Sequence, residues 1–144
     1  MLAYPEDSYL IQVGRLAYAV SSLEWSVLGD LTHHASALPA ALAIGTLAGQ
    51  TTGKIAEKIK QHLNAVQDNA VREWLKTSAD ALTEASIIRN HFLHARPATI
   101  DDQQRLYRWR LTPNDAFPIT DQWLADQIDR IETLSAAVST LRVK

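Results

Sequence analysis

The stretch Ile87-Ile88-Arg89-Asn90-His91-Phe92-Leu93-His94-Ala95-Arg96-Pro97 gathers two Arg, two His and an Asn into three turns of apolar-spaced chain. Asn90 and His94 stand four apart, so on a helix they share a face and the amide can orient the imidazole. Arg89 lies roughly 140° around the same helix from His94, which still lets both line a groove running obliquely across it. These residue types suit cleavage of RNA without a metal. A guanidinium holds a phosphate in a bidentate fork and stabilises the charge that builds on phosphorus. A neutral imidazole takes the 2′-hydroxyl proton, leaving a 2′,3′-cyclic phosphate. The departing 5′-oxygen needs an acid on the opposite side of the in-line displacement, so a second His is required: His91, or His94 of the partner subunit in a two-fold dimer.

The elements that must position these groups are helical. The apolar residues recur at spacings of three and four between few Gly and Pro. A first helix is expected from about Ser8 to Thr32, with Val13, Ala17, Val20, Val27 and Leu31 on one stripe, Leu10, Leu16 and Leu23 beside it, and Glu24 interrupting it. Leu31 to Gly53 reads as a connection with one loose helical piece. A second helix, from about Thr52 to Val66, repeats Ile55, Ile59, Leu63 and Val66 behind a Thr cap. The third opens after Asp68 and Asn69 and runs as a seam through Val71, Leu75, Ala79, Leu82, Ser86, Arg89 and Leu93 until Pro97 stops it. A fourth follows Thr120, through Leu124, Ile128, Ile131, Leu134, Val138 and Leu141. Between the last two, Tyr107, Trp109 and Leu111 alternate with Arg108 and Arg110, a short strand or hairpin ending at Thr112-Pro113-Asn114-Asp115. The expected fold is all-α, an up-and-down four-helix bundle in a single domain over 1–144, with that strand or hairpin inserted between helices three and four.

Arg89-Asn90-x-x-x-His94 resembles the R-x4-6-H signature of HEPN domains, in the form with a polar residue after the Arg and a small residue, here Ala95, after the His. The resemblance implies an all-α bundle with the motif near the end of its third core helix. It further implies a homodimer or pseudo-dimer whose two motifs face each other across a cleft, and metal-independent endoribonuclease activity in toxin, antiviral or RNA-processing systems. An antitoxin or a nucleotidyltransferase is then a candidate partner. Carried over by position, Arg89 and His94 are catalytic and Asn90 supporting.

Arg89 sits in an apolar seam, where an unpaired guanidinium is costly unless a carboxylate, an anion or a dimer cleft receives it. Glu24 is the candidate carboxylate, expected close to Arg89, Asn90 or His94. From Arg89 to Arg110 five Arg stand against Asp101 and Asp102, a formal +3 in a chain of −2. Arg96, Arg105, Tyr107, Arg108, Trp109 and Arg110 thus form a candidate basic and aromatic surface for single-stranded RNA. The bland alternative packs the aromatic rings on the helices and solvates the Arg. A second functional class also fits: a non-catalytic helical module that binds RNA, a nucleotide or a partner protein through the same Arg-rich cleft.

Composition excludes other classes. The chain is 144 residues long and 47% apolar, enough for one core and not two domains. With no Cys there is no disulfide framework, Cys-based zinc site or thiol nucleophile. Net charge rules out a generally basic nucleic-acid coat. Glu6 and Asp7 precede the first apolar run, the wrong sign for a leader, and Leu31 to Gly53 is too dilute for a bilayer, so a cytoplasmic location without membrane contact is expected. His33, His34, His62, His91 and His94 could with Glu24 supply an N/O metal site between helices, but His33 and His34 cannot both point inward from one helix and neither has an i, i+4 partner, and Gly45, Gly49 and Gly53 make no phosphate loop; no metal or cofactor is expected. Trp25, Trp74 and Trp123 read as core or interface anchors.

Overall fold

A computed structural model describes residues 2–109 and 116–142. Helix α1 spans Asp7–His33, α2 Ile44–Leu47, α3 Thr52–His62, α4 Asn69–Leu93 and α5 Asp121–Thr140. Strands β1 (Arg96–Ile100), β2 (Gln103–Arg108) and β3 (Phe117–Ile119) lie between α4 and α5. The chain is mostly helical, and α4 is central: it packs on α3, α1 and α5, while α1 also packs on α5. Among the described residues no helix is long and apolar enough to cross a membrane.

Local chemistry sets the helix starts. Thr51, Asp68 and Thr120 each accept a hydrogen bond from a backbone N–H in the first turn of α3, α4 and α5 respectively, satisfying donors that the helix itself cannot. The buried stripe of α1 runs through Tyr9, Leu16, Val20, Leu23, Val27, Leu28 and Leu31, while Leu10 and Ala17 are exposed. The expected stripe was thus rotated at its start, because Tyr9 faces the sheet. Helix α3 ends at His62, and a 3-10 turn over Leu63–Ala65 carries the chain to the buried Val66. Two 3-10 turns and α2 make up the connection before α3, anchored by the buried Leu42 and Leu47.

The largely helical class holds, and the strand or hairpin expected between the last two long helices is larger than expected. The strands form a three-stranded antiparallel sheet in the order β1-β2-β3. The helix does end before Pro97, which is itself the second residue of β1, with Arg96 opposite Tyr107 and Ile100 opposite Gln103. The turn between them is Asp101-Asp102, both at positive φ (51° and 62°). That is the two-residue hairpin geometry that matches strand twist, and Asp tolerates the left-handed region better than most side chains. Leu111 and the Thr112 to Asp115 turn lie outside the described residues.

Tyr9 joins this sheet to α1. Its ring is buried, and its hydroxyl accepts from Leu106 N–H (3.0 Å) and donates to Ile119 C=O (2.7 Å). Leu106 and Ile119 are opposed in the β2–β3 register, so one phenol oxygen bridges the two strands. Burial pushes the phenol's pKa up.

The seam expected along α4 divides at Leu82. The core continues through Ala85, Ile88 and Phe92, whereas Ser86 and Arg89 are half-buried and Leu93 is exposed. Arg89 therefore stands at the edge of the apolar face rather than within it.

Candidate functional site

Beside that edge, the first turn of α3 meets the last two turns of α4 and leaves a cleft of about 360 Å³ lined by Thr51, Thr52, Ser86, Arg89, Asn90 and Leu93. Gly53 permits the approach, since a Cβ there would lie 2.9 Å from Ser86 Oγ. Arg89 Nη1 donates to Thr52 Oγ1 at 3.3 Å. The Thr52 hydroxyl in turn donates to Glu24 Oε2 on α1. Three helices thus converge on one guanidinium. Glu24 reaches Arg89 through the intervening hydroxyl rather than by a direct ion pair. Arg89 makes no other hydrogen bond among the described residues, so most of its donors remain for an incoming anion. The positive end of α3 opens on the same cleft and favours the same charge.

The other motif residues are distributed differently. Asn90 is exposed and lines the cleft, but its amide does not hold the imidazole; only its backbone C=O accepts from His94 N–H, at 3.1 Å. The expected Asn90 to His94 side-chain hydrogen bond is therefore not made among the described residues, although His94, the C-cap, closes the last i to i−4 backbone bond of α4. His94 is exposed and is not among the residues lining the cleft. His91 turns away from Arg89, its ring 5.3 Å from Phe117 and 6.2 Å from Trp123 in edge-on packing. That placement makes it part of the contact between α4 and the β3–α5 corner and does not support its assignment as a second proton donor.

The basic and aromatic surface comes together only in part. Arg105 does not belong to it: the residue is 8% exposed, its Nη1 is 2.6 Å from Glu6, its Nη2 is 3.1 Å from Asp121, and its guanidinium stacks 4.4 Å from the Tyr9 ring centroid. Both ends of the fork are occupied by carboxylates, which the charge count along the chain could not show. The hydrogen bond from Arg105 holds the Glu6 carboxyl below its ordinary pKa, and Glu6 in turn raises that of Arg105. Tyr107 and Trp109 do share a side, with ring centroids 4.8 Å apart, and Trp109 is 58% exposed. Arg96 is exposed at the start of β1. Arg108 is half-buried, and its Nε has no hydrogen-bond partner among the described residues. Arg110 lies outside the described residues.

Of the tryptophans, Trp74 is fully buried and Trp123 half-buried, but Trp25 is 61% exposed and anchors no core. Among the described residues no group of three or more His, Asp or Glu is placed to hold a metal ion. Thr52 is the cleft residue that sequence reasoning missed as a functional side chain; its only signal was its place beside the Thr51 cap. No family model, curated protein or solved structure matches the chain.

Proposed function

We propose that this chain is a HEPN-like, metal-independent endoribonuclease whose longer helices α1, α3, α4 and α5 form an up-and-down bundle and which acts as a homodimer. The observation that carries the reading is the half-buried Arg89, tethered through Thr52 at one donor and open to a polar cleft at the others, with His94 exposed five residues further on. In this mechanism the Arg89 guanidinium holds the scissile phosphate. The 2′-oxygen attacks phosphorus as its proton passes to the His94 imidazole, and the bond to the 5′-oxygen breaks. His94 of the partner subunit gives that oxygen its proton, and the product end is a 2′,3′-cyclic phosphate. Asn90, on the cleft wall, contributes its amide to the phosphate rather than to the imidazole. Ile87 and Leu93, both more than half exposed, flank Asn90 and offer apolar surface for the second copy. Arg96 and the Tyr107–Trp109 pair extend the surface for unstacked RNA.

The position of His94 outside the cleft favours one second reading, a module that binds RNA there without turnover. Purified wild type, Arg89→Ala and His94→Ala incubated with a mixed RNA pool in EDTA, with product ends mapped, separate the two. Cyclic-phosphate ends made by wild type and lost in both variants, with the dimer intact, are the expected result. RNA retained but uncut by a folded, dimeric wild type refutes the nuclease and leaves the binding module.

A further inference from the structure

We infer that Thr52 is a positioning residue that aims Arg89 at the phosphate, an inference that rests on the phosphate-site reading above. Thr52 is 2% exposed, yet its hydroxyl is not needed to cap α3, a task Thr51 performs. It stands between a carboxylate and a guanidinium instead. An ionised Glu24 has no proton to give, so the Thr52 hydrogen must point at it. The hydroxyl oxygen is thereby left with only lone pairs toward Arg89, and the carboxylate polarises it into a better acceptor. Arg89 is anchored at Nη1, and the remainder of its planar fork faces the cleft.

The spacer matters as much as the anchor. A guanidinium and a carboxylate in direct contact pair through both donors of the fork, and such a pair would withdraw Arg89 from the cleft. With the hydroxyl between them, Glu24 fixes the orientation while the fork's charge stays available to an RNA phosphate. Removing the hydroxyl frees Arg89 to close on Glu24.

The test reads binding separately from turnover, using a single-stranded oligoribonucleotide made uncleavable by 2′-O-methylation. Thr52→Val keeps the shape of the buried side chain without its hydroxyl, and Thr52→Ser keeps the hydroxyl without the methyl; Thr52→Ala replaces Val should that variant not fold. Affinity is expected to fall about tenfold in Thr52→Val, the equivalent of one charge-assisted hydrogen bond, and to stay within about twofold in Thr52→Ser. Equal losses in Val and Ser assign Thr52 to packing and overturn the inference. Wild-type affinity in Thr52→Val, with affinity lost in Arg89→Ala, overturns the positioning role alone. Wild-type affinity in Arg89→Ala overturns the phosphate site itself, and the role of Thr52 with it.

Discussion

Replacing Tyr9 by Phe removes one oxygen and leaves the buried ring, its helix and the stacked Arg105 in place, so the variant isolates the bridge between β2 and β3. Two backbone groups lose their partner. Ile119 is fully buried, and a carbonyl stranded there costs about 1–3 kcal/mol because water does not replace the phenol. Leu106 is half-buried and its N–H can rehydrate, so its loss is nearer the ordinary net value of about 1 kcal/mol. The sum, about 2–4 kcal/mol, is a large part of the roughly 5–15 kcal/mol that holds a domain folded. For a chain of this length it corresponds to a fall in Tm of roughly 6–12 °C. Urea and thermal unfolding give the magnitude, and amide hydrogen exchange at Leu106 gives the site, where protection should drop more than in the centre of α4. A Tm within about 1 °C of wild type, or unchanged exchange at Leu106, refutes the bridge.

Arg105→Met should lower Tm, since it gives up both carboxylate contacts and the stacking on Tyr9, yet leave affinity for the 2′-O-methylated RNA within about twofold, the opposite of Arg89→Ala. Affinity lost at unchanged Tm would return Arg105 to the RNA surface. Glu84 pairs with Arg130 through two hydrogen bonds (2.5 and 2.9 Å) that lower its pKa from 4.5. A carboxyl depressed in the folded state stabilises above its unfolded value, and that contribution disappears as pH falls through the folded value. Glu84→Gln should therefore lose less stability than wild type between about pH 6 and about pH 3, and parallel pH profiles for the two proteins would show that the pair does not couple to folding.

Helices α1, α3, α4 and α5 were legible because each start carries a side-chain cap, or an acidic first turn in α1, and each interior an apolar period. The sheet was not. Its first strand has as its second residue a proline that reads as a helix stop, its tight turn uses two Asp in place of the usual Gly or Asn, and β3 is only three residues long. At the site, Arg89 and Glu24 were visible because a charge in an apolar row needs an explanation. Thr52 was not, because threonine near a helix start is ordinary. Its two contacts cross 28 and 37 residues of sequence, and nothing local announces them.

Arg89 and Arg105 show why residue type and net charge stop short of function. Both are arginines withdrawn from full solvent exposure, and both count equally toward the local excess of +3. Arg105 has a carboxylate at each end of its fork, one of them supplied from 99 residues earlier, so its charge is neutralised within the fold and its geometry is fixed. Among the described residues Arg89 hydrogen-bonds only to a neutral hydroxyl, with the nearest carboxylate in that chain of contacts held one group further away. The fold thus converts one guanidinium into a brace and leaves the other charged toward a cleft at a helix N-terminus, where the proposed mechanism seats a phosphate. What distinguishes the two is the partner each finds in space, and for Arg89 that distinction passes through a single buried oxygen.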